Sequence, residues 1–242
     1  MKFNFKINNQ DIEILVSDSE QFRKEFLIQK GYFGQGHDIT QEEIERCASL
    51  DLVFLMEQIV LNLDPTKDIT VIDIGAGNSV TDLVLAKIFD SAKFILLDGD
   101  EWIGCEEIHS ADFKPYNYWK HVKIAIRLNG FDHKRFLYVG LDYAFDQPAD
   151  LITSCGAWGL HFPIETYLDS ALKALKPGGI LALAPILNIN NALEKVNAHL
   201  TPLMIHEIKT VDRNAKDWPR FSKYFPINFS GPWGYVGIWR RD

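Results

Sequence analysis

The sequence predicts an α/β protein: a doubly wound, mostly parallel seven-stranded sheet with an antiparallel last strand, preceded by a small N-terminal hairpin and helical cap. Three observations carry that reading. From Ile69 onward, short apolar runs alternate with stretches of helical length and amphipathic spacing, the pattern of βαβ units covered on both faces. The first run delivers Asp73 into a glycine-rich turn that opens a helix. The last two strand-like runs have no helical pattern between them, which predicts an antiparallel pair at the sheet edge.

Taken in order, residues 2–7 and 12–16 alternate apolar and polar around Asn8-Asn9 and predict a hairpin. A polar helix is expected over 18–30, followed by the glycine-rich, aromatic loop Gly31 to His37. Thr40 with Glu43 forms a capping box for a helix running to Leu63, ended by Asp64-Pro65. These elements make a cap over 1–66, and 67–242 forms the main domain. Ile69–Ile74, Lys93–Leu97, Phe136–Val139, Leu151–Ser154 and Ile180–Ala184 read as buried strands. A helix near 189–199, a strand over 203–210, a loop with Pro219, Pro226 and Pro232, and a strand over 234–240 complete the chain.

Composition narrows the function classes. Hydrophobic residues are 47% and charged residues 24% of 242, enough for a sizeable core. No apolar run reaches the ~20 residues of a membrane span, and the alternating start lacks the apolar stretch of a signal peptide. Cys47, Cys105 and Cys155 are widely separated, which fits free thiols in a cytoplasmic protein rather than a disulfide framework or zinc site. The formal net charge of −8 disfavours nucleic acid as a partner, since phosphate binding needs a basic footprint. Two basic stretches, one including Lys114, Lys120, Lys123, Arg127, Lys134 and Arg135 and the other Lys209, Arg213, Lys216, Arg220 and Lys223, read as solvated faces. No Asp, His or Glu spacing suggests a metal site.

Five motifs carry the chemistry. In Val71 to Ser79 a buried strand delivers Asp73 before the turn Gly75-Ala76-Gly77, where missing side chains let backbone approach a ligand. A dinucleotide loop would need glycine at position 80, where Val80 stands. Asp73 also suits a ligand bearing an amino cation better than a pyrophosphate. Asp98-Gly99 closes the next strand, where an acid can accept from both ribose hydroxyls; Asp100 lies further out. Asp142, with Tyr143 after it, follows the third strand and can meet an adenine amino group. Ser154 to Trp158 is a small-residue loop at the carboxyl edge of the sheet. Finally, Leu175-Lys176-Pro177-Gly178-Gly179 stops a helix and turns into a strand.

Over 69–184 these elements resemble, in order and spacing, the class I S-adenosylmethionine-dependent methyltransferase superfamily, whose fold is Rossmann-like. The resemblance implies S-adenosyl-L-methionine as cofactor. It places the methionine end at Asp73 and the backbone of Gly75, Ala76 and Gly77, the ribose at Asp98 and Gly99, adenine between Asp142 and Tyr143, and the sulfonium near Ser154. Ser79 stands where the family often has a third glycine. The family's (Asn/Asp)-Pro-Pro-(Tyr/Phe) tetrad, used on planar nitrogens, is replaced by Ser154-Cys155-Gly156-Ala157. Asn129-Gly130-Phe131 after a helix is loosely similar to candidate sugar O-methyltransferases and also reads as an ordinary helix C-cap.

The expected reaction is methyl transfer to a small-molecule acceptor, with a hydroxyl of a sugar or metabolite favoured. A hydroxyl needs its proton removed, and His161, shortly after the fourth strand, is the candidate base. It reads more readily as a hydrogen-bonded histidine closing a helix N-terminus before Pro163. His37 is a second candidate, in a loop that could close as a lid but reads more readily as a flexible connector. Alternatives are a protein or RNA methyltransferase docking through Trp218–Trp233, and a catalytically silent cofactor-binding module. A nicotinamide-dependent oxidoreductase is disfavoured by Val80 and the Pro-Gly-Gly strand entry.

Overall fold

Strands and helices follow the apolar pattern closely in the computed structural model, which describes residues 1–17, 52–99, 119–159, 162–186, 191–208 and 234–242. The helix expected over 18–30, His37 and its loop, the Thr40 capping box, Asp100, His161, the second basic stretch and Trp218–Trp233 lie outside these residues.

Strands β1 (Lys2–Ile7) and β2 (Gln10–Leu15) pair antiparallel around Asn8 and Asn9, at φ 47° and 65°. Two successive left-handed residues match the twist of a two-residue hairpin, and asparagine tolerates that conformation. Phe3, Phe5, Ile7, Ile12 and Ile14 are buried on the inner face. They join one hydrophobic cluster with Leu55, Met56 and Ile59 of helix α1 (Leu52–Asn62) and with Leu83 and Val84 of helix α2 (Val80–Ile88).

The main sheet has seven strands: β3 (Thr70–Ile74), β4 (Lys93–Leu97), β5 (Phe136–Val139), β6 (Ala149–Cys155), β7 (Leu175–Ile186), β8 (Thr201–Ile208) and β9 (Gly234–Arg240). Their order is β5-β4-β3-β6-β7-β9-β8, and only β9 runs against its neighbours. The expected doubly wound sheet with an antiparallel last strand is therefore present, and β9 inserts between β7 and β8 so that β8 forms the edge. Alternate side chains divide between two layers. Val71, Phe94, Leu96 and Ile180 meet α1, α2, helix α3 (Trp119–Leu128) and the hairpin. Ile72, Ile74, Ile95 and Leu181 meet helices α4 (Leu168–Ala174) and α5 (Ala192–Asn197). Among the described residues no helix is long and apolar enough to cross a membrane.

Two differences from the sequence reading have local causes. β7 starts at Leu175, ahead of the Pro-Gly-Gly element rather than after it. Ala149 pairs with Leu175 and Leu151 with Ile180, so Lys176–Gly179 bulge out opposite Asp150. Gly178 takes φ 77°, its N–H donates to Arg241 O at 2.7 Å, and Lys176 Nζ reaches Asp150 Oδ2 at 2.7 Å. Arg135, expected on a solvated face, instead bends inward. It donates to the carbonyls of Phe89 at 2.7 Å and Ala92 at 2.9 Å, capping the carboxyl end of α2 where helix carbonyls lack partners.

Asn129 has an architectural role that an ordinary C-cap does not explain. Its Oδ1 accepts from Leu15 N–H at 3.0 Å, and its Nδ2 donates to Leu15 O at 2.7 Å and Ala125 O at 2.8 Å. One amide thus clamps the end of β2 to the end of α3.

Candidate cofactor and active site

The chain leaves β3 for β4 and β5 on one side and returns to β6 on the other. The crevice outside the carboxyl ends of β3, β4 and β6 is thus a topological switch point, where open α/β sheets hold ligands. Asp73, Gly75–Gly77, Asp98, Gly99 and Ser154 all come to these strand ends.

The glycine turn is tethered from within. Gly75 N–H and Ala76 N–H donate to Leu97 O at 2.8 and 3.1 Å, and Gly77 N–H donates to Asp98 Oδ2 at 2.6 Å. Asp98 Oδ1 accepts from Gly99 N–H at 2.7 Å. The turn's first three N–H groups are committed, so it offers few donors to a phosphate. Gly75 has φ 76°, and a Cβ there would stand 2.1 Å from Ala157 Cβ. The loop after β6 therefore lies directly on the turn. Ser79 takes φ 54°, a left-handed conformation that glycine adopts freely and serine does not.

Beneath the turn the site is rich in acids. Asp73 and Asp82 are buried at 2% and 0% exposure. Asp73 Oδ1, both oxygens of Asp82, and the side chains of Asn78, Ser79 and Thr153 have buried polar atoms without hydrogen-bond partners. Burial pushes Asp73 up to about 7, the neighbouring Asp82 carboxyl opposes this, and Asp98 adds repulsion. Burial pushes Asp98 up to about 6 against its two backbone hydrogen bonds. Asp82 is raised well above the carboxylate range, by burial first and then by Asp73.

Beyond β5, Tyr143 N–H donates to Gly140 O at 3.1 Å, and its hydroxyl donates to exposed Asp146 at 2.9 Å. Burial and that bond push the phenol up to about 12. Asp142 is exposed in the same turn. Phe145, at φ 52°, packs between Tyr143 and Tyr167 in tilted contacts with ring centroids 5.4 and 5.9 Å apart. Ser154 is fully buried. Its hydroxyl donates to Ile74 O at 2.6 Å and accepts from Trp158 N–H at 2.9 Å, stapling the end of β3 to the loop that follows β6.

Sequence reasoning found the strand-end acids but missed Asp82, Asn78 and Thr153. Asp82 in the first turn of a helix resembles the solvated acid that favours a helix dipole, and only its burial reveals otherwise. Among the described residues, no group of three or more His, Cys, Asp or Glu is placed to hold a metal ion.

No family model matches the chain, and no curated protein matches it. Among solved structures, a candidate sarcosine dimethylglycine methyltransferase from Galdieria sulphuraria is similar at TM-score 0.53 and 13% identity, covering 92% of this chain and 98% of that one. TrmN from Thermus thermophilus gives 0.52 and 16%, over 80% of this chain and 49% of that chain. The [4+2]-cyclase SpnF gives 0.52 and 14%, over 86% and 85%. The chain has the class I S-adenosylmethionine-dependent methyltransferase fold.

The residues present fit the cofactor of that class. An ammonium needs acceptors and a pyrophosphate needs donors. The site has three acids, unpartnered carboxylate oxygens and a turn whose first three N–H groups are already bonded.

Proposed function

We propose that the protein binds S-adenosyl-L-methionine in this crevice and transfers its methyl group to a small-molecule acceptor, with a hydroxyl of a sugar or related metabolite the favoured target. The observation that supports this reading is the pair of buried acids, Asp73 and Asp82, beneath a turn whose first three N–H groups are already bonded. That chemistry suits a ligand with a cationic amino acid end and opposes a dinucleotide. In this reading Asp73 and the backbone of Gly75, Ala76 and Gly77 hold the methionine end. Asp98 and Gly99 take the ribose, and Asp142 and Tyr143 border the adenine.

When bound, the cofactor supplies a methyl carbon activated by its sulfonium. The protein's part is to hold the acceptor oxygen in line with that carbon, a proximity effect. Ser154 fixes the β6 loop against β3 and so sets the floor on which both must meet. Its hydroxyl is committed to backbone, so it positions the site rather than contacting the ligand. His161, which follows that loop in sequence, takes the acceptor's proton.

The test is a transfer assay with methyl-labelled S-adenosylmethionine, offering sugars and hydroxylated metabolites in one arm and RNA or protein in another. Label in a small hydroxylated product, reduced about 100-fold or more by His161→Ala, supports the proposal. Label only in RNA or protein overturns the acceptor class.

A further inference from the structure

The connection from β5 to β6 crosses 140–148 without a helix, although parallel strands are ordinarily joined through one. Phe145 fills part of that layer instead. It is buried in one cluster with Ile95, Leu97 and Ile152, and it holds φ 52°, a conformation that strains any residue with a side chain. Such strain persists only where packing over-determines it, and it gathers at functional sites. The packing here is a chain of ring contacts. Phe145 lies 5.4 Å from Tyr143 and 5.9 Å from Tyr167, and Tyr167 meets Trp158 edge-on at 6.1 Å. Trp158 is anchored in turn, its indole N–H donating to Ile164 O and its backbone N–H to Ser154 Oγ, each at 2.9 Å. Among the described residues, Phe145 is the one ring that touches both Tyr143 and Tyr167.

The free end of this chain is the turn assigned above to the cofactor's base. Tyr143 is held at three points: its N–H on Gly140 O, its hydroxyl on Asp146 and its ring against Phe145. Asp142 precedes it, with Oδ1 3.0 Å from where a Cβ on Gly140 would stand, so the carboxylate folds over that glycine. A carboxylate only accepts hydrogen bonds, so it receives the exocyclic amino group of adenine and repels an oxo group in its place. That choice is sharp only if the carboxylate stays at one distance from the strand ends.

We propose that Phe145 is a positioning residue for the cofactor's base: wedged between Tyr143 and Tyr167, it fixes the Asp142 turn so that the site takes an aminopurine and rejects an oxopurine. The inference rests on the cofactor reading above and adds to it a base specificity and the side chain that maintains it. Phe145 acts through Tyr143 and Asp142, and the Trp158 anchor on Ser154 ties that turn to the floor of the site.

The experiment is calorimetric titration of the full chain with S-adenosylhomocysteine and with its oxo analogue, S-inosylhomocysteine. The readout is the ratio of the two affinities, because a purely structural role would weaken both ligands by one factor and leave that ratio unchanged. Wild type should prefer the amino compound by about tenfold or more, since an acceptor left facing an oxo group is costly. Phe145→Leu should cut the preference to about threefold or less, because the smaller side chain leaves the turn room to shift. Tyr167→Leu should do the same from the other side, and Tyr167→Phe, which keeps the ring, should restore the preference to within about twofold of wild type. A folded Phe145→Leu with the wild-type ratio would overturn the proposal, and so would a Tyr167→Phe as impaired as Tyr167→Leu. If Phe145→Leu does not fold, the two Tyr167 variants decide. Equal binding of both ligands by wild type would overturn the proposal and leave the cofactor reading in place. Binding of neither would overturn that reading and the proposal with it.

Discussion

Adding one methyl group at Gly75 tests how closely the β6 loop is built onto the glycine turn. The new Cβ would lie 2.1 Å from Ala157 Cβ, where ordinary contacts begin near 3.4 Å, and the residue would have to keep φ 76°. The left-handed backbone costs a non-glycine residue about 1–2 kcal/mol, and forcing a methyl into a packed contact costs about 1–3 kcal/mol. Gly75→Ala should therefore lose about 2–5 kcal/mol in urea unfolding, seen as a lower midpoint at unchanged slope. The two costs can be separated. Ala157→Gly removes the opposing methyl, so the double variant should recover about 1–3 kcal/mol and retain only the backbone penalty. A loss below about 1 kcal/mol for Gly75→Ala, or a double variant no more stable than the single one, would refute this packing.

Three further predictions concern the frame and its acids. Ser154→Ala leaves Ile74 O and Trp158 N–H without their buried partner and should cost about 1–3 kcal/mol in urea unfolding. Asn129→Ala breaks the clamp on Leu15 and should speed hydrogen exchange at the Leu15 amide, which donates to Asn129 Oδ1, by about tenfold or more relative to amides in β3. Asp73, raised from 3.8 to about 7, binds its proton more tightly folded than unfolded, so the ligand-free protein should lose stability as pH rises from about 4 to 7. Asp73→Asn should remove that loss, raising stability at pH 8 by up to about 4 kcal/mol, while abolishing stabilisation by S-adenosylhomocysteine.

Much of the fold is visible in the sequence because buried parallel strands need short, continuous apolar runs. Lys93–Leu97 and Phe136–Val139 match the observed strands residue for residue, and Gly234–Arg240 matches the run over 234–240. The acids at strand ends are equally visible, since Asp73 interrupts an apolar run and Asp98 ends one. Asp82 is hidden because α2 lies between the sheet and the hairpin. A polar residue there no longer marks a solvent face, and only long-range packing by Phe3, Ile12 and Ile14 decides that. Ser154 shows the same limit. Its position at the strand end is legible, but its hydroxyl turns to Ile74 O, a partner 80 residues away. The β7 bulge depends on pairing with β6 and on Arg241, so the local Pro-Gly-Gly signal places the element without its register.

Cofactor binding at the strand ends is tested by a thermal-shift titration with S-adenosylhomocysteine, with NAD as control, on wild type and Asp98→Ala. Ligand at about 100 times its dissociation constant adds about 2.7 kcal/mol, which for a domain of this size predicts a midpoint rise of about 5–10 °C. That rise is expected with S-adenosylhomocysteine alone, blunted in Asp98→Ala. No rise, or a rise with NAD instead, would contradict cofactor binding there.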